Sequence, residues 1–392
     1  MFEVFLAFLK LGLTSFGGPI AHLGYFRAEF VERRRWLDDR SYTDLVALCQ
    51  FLPGPASSQV GMALGMKRAG WPGALAAWVG FTLPSAIALT LFALGVTHWT
   101  ALAQSGVVHG LKVVAVAVVA QAVMGMARSL CPDRLRAGIA IAAAVLVLLV
   151  PYSVAQIAAM IAGALIGRFA LNLPPSAAVA QDGFGISKRA GAVLLALFVV
   201  LLFGLPMWAS ALHSRLLLLV SEFYTAGSLV FGGGHVVLPL LQSALVPITY
   251  LHDDVFLAGY GAAQAVPGPL FTFAAYLGAV LPDSMQWGGA WGSALVMLMA
   301  IFLPAFLLVM GALPFWQVLR ERHGIQRGMA GVNAAVVGVL LAALYSPVWT
   351  SAIHSRADFA LALLAFGLLV FARWSPVWVV LLAAAVGWAG WL

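Results

Sequence analysis

The 392 residues predict an all-α polytopic membrane protein of about thirteen transmembrane helices, in two homologous six-helix repeats of inverted orientation with broken helices. Three observations carry that prediction. First, 63% of the residues are hydrophobic and 9% charged, with a mean hydropathy of +1.00. A soluble chain of this length needs roughly a quarter of its residues charged. Second, apolar runs of about 17–25 residues, enough to cross a hydrocarbon core of roughly 30 Å, recur from end to end. Third, two parts of the chain repeat each other, and each has Pro-Gly-Pro inside an apolar run: QFLPGP at 50–55 and QAVPGP at 264–269.

The first apolar run, 2–16, ends at FGGP and leads into a polar, amphipathic stretch at 19–40. Its N-terminus has no basic region and no small-residue cleavage site, so the expectation is insertion through this first helix rather than a removable signal. The next run, 42–66, is interrupted at Pro53-Gly54-Pro55. Runs follow at 71–97, 106–128, 134–150 and 152–170. Residues 171–189 are polar and turn-rich, and form the natural linker. After it come 190–209, 214–231, 257–280, 288–312, 328–346, 356–372 and 375–392.

The halves align in order. SFGGPIAH at 15–22 matches VFGGGHVV at 230–237, an offset of 215. WLDDRSYTDLVALCQFLPGP at 36–55 matches YLHDDVFLAGYGAAQAVPGP at 250–269, an offset of 214. Trp71-Pro72-Gly73 then matches Trp287-Gly288-Gly289, Leu83-Pro84 matches Leu303-Pro304, and Gly110-Leu111-Lys112 matches Gly331-Val332-Asn333. The expected divisions are 1–172 for the first repeat, 173–213 for a linker with one extra helix, and 214–392 for the second repeat. An odd helix between two six-helix units inverts the second.

Charge tests the orientation. The net charge of +7 reflects Lys and Arg in short loops, where they orient helices, rather than a nucleic-acid surface. Alternate loops carry 12 against 7 of these residues, which sets the N-terminus in the cytoplasm. The stretch 17–41 resists, because it would lie outside yet holds Arg27, Arg33, Arg34, Arg35 and Arg40. A re-entrant pair of half-helices at 42–66 would return this stretch to the cytoplasm and make the units parallel. Cys49 and Cys131 have no metal or redox spacing and read as structural.

The breaks are the candidate site. Pro-Gly-Pro removes two backbone donors and inserts a hinge. In lipid, such backbone persists only where protein buries it or water reaches it. A half-helix starting after the break points free N–H groups and its positive dipole end at whatever sits there, as suits an anion. In the first copy that turn holds Ser57, Ser58 and Gln59; in the second it is nearly apolar, with Thr272. Pro53, Gly54 and Gly268 form the breaks themselves, and Gly17, Gly18, Gly232 and Gly233 supply a second unwound point in each half. Repeat-built transporters bind substrate at such discontinuous helices near the midplane. The structural alternative is a proline kink with small-residue packing.

Charges inside apolar runs cost roughly 2.5–3.5 kcal/mol each on insertion scales. Lys10 and Lys112 can supply positive charge to a dianion, or snorkel to the interface. Glu222 is the candidate for proton coupling, with His22 and His235 beside the glycine-rich breaks as further titratable groups. Asp38, Asp39, Asp44, Asp253 and Asp254 read as helix N-cap groups. No nucleotide-binding P-loop, HExxH or Gly-x-Ser-x-Gly occurs, so no enzyme and no cofactor is expected.

FLKLGLTSFGGPIAHLGYF, QFLPGPASSQVG and the second copy FGGGHVVLPLL…QAVPGPLFTFAAYLG resemble the chromate ion transporter family in its long, two-domain form. The resemblance covers about 1–170 and 214–392. It implies a bacterial inner-membrane exporter of chromate, with sulfate as the look-alike dianion, conferring chromate resistance through secondary transport coupled to ions, with protons as the expected ion. Its motifs fall on Phe16, Gly17, Gly18 and Pro19; on Gln50, Pro53, Gly54 and Pro55; and on Phe231 to His235, Gln264, Pro267, Gly268 and Pro269. Lipids and a second copy of the chain are the other partners this implies. A passive anion channel and a membrane enzyme acting on lipid-linked substrates stand as alternatives. The enzyme should show clustered acids and histidines at one membrane face, and the sequence has none.

Overall fold

A computed structural model describes residues 1–16, 18–98, 106–150, 153–172, 184–231, 234–246, 250–316 and 322–390. All regular structure among them is helical. The first half contains α1 (Phe2–Thr14), α2 (Gly18–Phe26, continued by a π-helical turn Arg27–Arg33), α3 (Asp39–Phe51), α4 (Ala56–His98), α5 (Gly106–Leu130), α6 (Arg134–Leu149) and α7 (Ser153–Ala170). After α8 (Lys188–Ala211) come α9 (Arg215–Leu229), α10 (Val237–Leu245), α11 (Asp253–Ala265), α12 (Phe273–Val280, after a 3-10 turn Leu270–Thr272) and α13 (Gly289–Ala312). The chain closes with α14 (His323–Ala343, continued by a π-helical turn Leu344–Trp349), α15 (Arg356–Val370) and α16 (Pro376–Trp388).

Five helices, α4, α5, α8, α13 and α14, are long and apolar enough to cross a membrane, and shorter apolar helices accompany them. Polar caps fix several starts. The Asp38 carboxylate accepts the Ser41 N–H at α3, Asp133 accepts from Arg136 at α6, and Ser355 with Asp358 forms a capping box at α15. Asp44 and Asp254, read from the sequence as caps, do other work. Asp44 accepts from the Trp316 indole at 3.2 Å, and Asp254 pairs with Lys112.

The run 2–16 forms the helix α1, and the run 42–66 is interrupted at Pro53-Gly54-Pro55, as the sequence indicates, between α3 and the first arm of α4. Helices of 13 residues, such as α1 and α3, extend only ~20 Å, short of a hydrocarbon core. Instead α1 and α2 fold back on each other. Phe8 lies 5.4 Å from Phe26 and stacks at 4.7 Å on Phe30, and Arg34 bonds to Glu3. Such ring pairs each contribute about 0.5–1.5 kcal/mol beyond area burial, so the stack holds the hairpin closed. α3 and the first arm of α4 (56–68) do the same. Arg68, at the end of that arm, lies over Trp36 just before α3.

The second half repeats the pattern. The Tyr276 hydroxyl of α12 donates to the Val255 carbonyl of α11 at 2.8 Å, and Phe256 packs on Phe273 at 5.1 Å. Residues 255 and 276 would sit ~30 Å apart on one continuous helix. α4 itself turns at Ala69 and Gly70, whose backbone is non-helical, before the long arm 71–98 begins.

The halves interlock in space. α14 packs on α6 and α7, α15 and α16 pack on α5, and α12 and α13 pack on α4. One core runs through residues of both halves, including Leu89, Val114, Phe223, Tyr260, Ile301 and Leu340. Close crossings use small residues: a side chain at Gly331 of α14 would collide with the Gly163 carbonyl of α7.

Candidate functional site

α3 ends at Phe51 because Pro53 has no N–H to donate and forces Leu52 into an extended conformation (ψ 148°). Gly54 then takes φ +116° and Gly268, its counterpart, φ +99°. Side-chain-bearing residues rarely adopt this region, so both turns require glycine. The two tips reach across to the opposite half. The Gly54 N–H donates to the Val230 carbonyl at 2.7 Å, and the Gly268 N–H donates to the Ser15 carbonyl at 2.9 Å. Positions 54 and 268 correspond in the repeat alignment, and so do 15 and 230.

The backing is paired as well. A β-carbon on Gly54 would lie 3.1 Å from the Ala305 methyl, and one on Gly268 would lie 3.0 Å from Ser85 Oγ. Ser85 and Ala305 each follow the proline of a long helix, Pro84 in α4 and Pro304 in α13. Each broken tip is therefore tied to the start of the other half's break and rests against a proline-bearing helix.

Around the first tip lies a buried polar cluster. Ser57 Oγ is 3.4 Å from His22 Nδ1, and the His22 ring packs edge-on to Phe81 at 5.2 Å. Ser15 Oγ, His22 Nε2, Ser58 Oγ, Gln59 Oε1 and Thr82 Oγ1 are buried and have no hydrogen-bond partner among the described residues. A buried hydroxyl left unpaired costs about 1–3 kcal/mol, so five such atoms on adjoining elements form an unusual concentration. Three are hydroxyls able to donate to an anion. The N–H groups of Ala56, Ser57 and Ser58, in the first turn of the α4 arm, have no partner within their own helix, whereas the Gln59 N–H donates to the Pro55 carbonyl at 3.0 Å.

Beside the second tip is a cavity of about 60 Å³, lined by Gly18, Pro19, Gln121, His235, Gln264 and Gly268, among others. This exceeds the ~10–15 Å³ that a single water needs. Gln264 Nε2 is buried without a hydrogen-bond partner among the described residues. His235 Nδ1 is 2.8 Å from the Tyr260 hydroxyl, which fixes the ring. The lining mixes the glycine-rich break of one half with the Pro-Gly-Pro of the other.

Sequence-read residues divide between this centre and other places. Gly18, Pro53, Gly54, Ser57, Ser58, Gln59, Gly268, His22 and His235 lie at the crossing. Gly17, Gly232 and Gly233 lie outside the described residues. Three readings need revision. The N–H groups of Gly54 and Gly268 are engaged by opposite-half carbonyls. The Gln59 amide donates to the Pro53 carbonyl at 2.8 Å, which leaves its oxygen facing the cluster as an acceptor. The Thr272 hydroxyl donates to the Pro269 carbonyl within its own turn.

The two lysines are also occupied. Lys112 Nζ bonds to Asp254 at 2.7 Å, and Lys10, whose side chain is exposed, lies 3.9 Å from the Glu29 carboxylate. Burial makes an unpaired cation costly at Lys112, and Lys10, though exposed, also lies beside a carboxylate. Glu222 is half-buried midway along α9, with no hydrogen bond or ion pair among the described residues. Ser15, Thr82, Ser85 and Gln264 were not singled out by the sequence as ligand groups. Thr82 and Ser85 flank Pro84, and polar side chains beside a membrane proline are the signal that would have found them.

A family model described as "Chromate transporter" matches residues 2–168 and 217–388. A chromate transport protein of Pseudomonas aeruginosa is 28% identical over 409 residues, covering 100% of this chain and 92% of that protein. One from Cupriavidus metallidurans is 28% identical, covering 98% and 92%. An uncharacterized transporter of Methanocaldococcus jannaschii is 26% identical, covering 87% and 82%. No solved structure matches the chain.

Proposed function

Because this chain belongs to the chromate transporter family, we propose that it carries the chromate dianion across a bacterial inner membrane, through the point where the broken helices of its two halves cross. The observation that carries this reading is the reciprocal pair of tip hydrogen bonds, Gly54 to Val230 and Gly268 to Ser15, with unpaired buried hydroxyls and a small cavity beside them. Transport needs a binding point at which neither side is continuously open. Interrupted helices meeting in the protein interior provide it. Ser15, Ser58 and Thr82 donate to the oxyanion, helped by the first-turn N–H groups of the α4 arm, and Gln264 with Gly18 lines the adjoining cavity.

The topology we propose is an inverted repeat of the divisions 1–172 and 214–392, joined by α8 within 173–213. Hairpins α1–α2 and α3–α4 enter from the face holding the N-terminus, and α9–α10 and α11–α12 enter from the other. The long arm of α4, α5, α6, α7, α8, α13, α14, α15 and α16 then alternate across the membrane. Charge supports this arrangement. Of the 21 Lys and Arg, only Arg215 and Arg356 fall in loops of the second face, and Lys10 and Lys112 fall within helices. The arginines of 17–41 join the first face, which the positive-inside rule makes cytoplasmic. Two re-entrant hairpins per half, rather than one, keep the halves inverted.

Export, sulfate as a second substrate and proton coupling complete the proposal. Glu222, His22 and His235 are titratable groups near or within the hairpins, and Glu222 is the coupling candidate because it has no hydrogen bond or ion pair among the described residues. The test is chromate and sulfate uptake into inverted vesicles, with and without a proton gradient. Chromate accumulation that follows the gradient supports coupled export. Flux indifferent to the gradient points to a passive channel, and no chromate flux refutes the reading.

A further inference from the structure

The base of the first two hairpins encloses a cavity of about 420 Å³, separate from the central crossing, whose charged lining is Arg34, Arg35, Lys67, Arg68 and Glu3. Among the described lining residues, four are cations and one is a carboxylate, so this lining is positive. Two of the cations are held in place. Arg34 and Arg68 each lie 5.6 Å from the Trp36 ring centroid, and Glu3 bridges them, 3.2 Å from Arg34 and 3.0 Å from Arg68. Arg34 is further anchored by Glu29 at 2.6 Å. A guanidinium has five N–H donors, so both retain several after these bonds.

Arg35 differs from its neighbours. It has no ion pair among the described residues, and its backbone sits at φ +53°, in the left-handed region that an arginine rarely takes. Such strain persists where the surroundings over-determine it, and it recurs at ligand sites. Arg35 lines this cavity together with Lys67, at the end of the α4 arm. Lys67 lies 5.8 Å from the Phe184 ring. A fork of guanidinium groups, a lysine and an aromatic wall suits a tetrahedral oxyanion, which accepts bidentate hydrogen bonds from arginine and a point charge from lysine.

We infer that this cavity is a second oxyanion site, for a tetrahedral anion that is either free in solution or the phosphate of an anionic lipid headgroup. It lies at one end of the α4 arm, with Ser57 and Ser58 at the other, ~18 Å away. The inference stands on the basic cavity alone and does not require the central crossing to bind chromate.

The test uses the full chain in nanodiscs of neutral phosphatidylcholine and measures bound radiolabelled sulfate per chain. Arg35→Gln with Lys67→Gln lowers the stoichiometry by one, whereas Arg35→Lys with Lys67→Arg keeps it, which excludes a folding defect. Ser57→Ala with Ser58→Ala leaves this sulfate bound, so failure at the centre is read separately. In a second arm, anionic lipid co-purified from native membranes is quantified by mass spectrometry. Loss of lipid in the Gln variant with unchanged sulfate assigns the site to the headgroup. Unchanged sulfate together with unchanged lipid overturns the inference.

Discussion

Ser58 Oγ and Thr82 Oγ1 are buried hydroxyls without hydrogen-bond partners among the described residues. We propose that they belong to a binding point, since a proline kink alone would leave local polar groups satisfied. Ser57→Ala with Ser58→Ala is expected to lower chromate flux at least tenfold, as loss of one to two hydrogen bonds to a charged group at about 1.5–3 kcal/mol each would require. Gly54→Ala and Gly268→Ala place a β-carbon on a φ of +116° or +99°, within 3.0 Å of a neighbour in each case. Each should destabilise the fold by about 1–3 kcal/mol, read as a lower midpoint of thermal unfolding in detergent. An unshifted midpoint would mean that the tips tolerate substitution. Glu222→Gln should flatten the pH dependence of transport; a wild-type profile would remove Glu222 from the coupling scheme.

The hairpin is the element that organises the site, and its closure depends on particular side chains. Gly259 leaves room for the Tyr276 ring, which would collide with any side chain there. Gly259→Val is therefore expected to open the α11–α12 hairpin and abolish transport. Tyr276→Phe removes only the bond to the Val255 carbonyl, at about 1 kcal/mol. If Gly259→Val transports normally, the hairpin packing is irrelevant to function. Pro53-Gly54-Pro55 made the breaks legible in the sequence, because no other local chemistry explains that triplet in an apolar run. The fold-back of 42–66 was legible only as an alternative. Hydrophobic periodicity reads 42–66 as one span, since two short antiparallel helices bury apolar residues as a long one does. The clue was electrostatic: five arginines between 17 and 41 that a crossing first helix would put on the wrong side.

Across the whole molecule, matched motifs motivate the proposed repeat, and the packing of the two halves on each other was not legible in the sequence. Nothing in residues 323–343 says that α14 packs against α6 and α7 of the other half; small residues such as Gly163 and Gly331 suit close crossing anywhere. Lys10 and Lys112 misled for a related reason. Sequence places a lysine within a helix, but only three dimensions reveal Glu29 and Asp254 beside them. The inverted arrangement makes a direct prediction in a background lacking Cys49 and Cys131. Cysteines introduced at Arg35, Arg189 and Arg373 react with an impermeant thiol reagent from the cytoplasmic face, and those at Arg215 and Arg356 from the opposite face. Labelling of 35 and 215 from one face would contradict the inversion.

Chromate is proposed to pass where the tips of the two halves cross, and flux in proteoliposomes tests that path. Radiolabelled chromate should enter liposomes carrying the wild-type chain and fail to enter those carrying the Ser57→Ala, Ser58→Ala form, at equal thermal stability and equal insertion. Wild-type flux through that variant would contradict the claim.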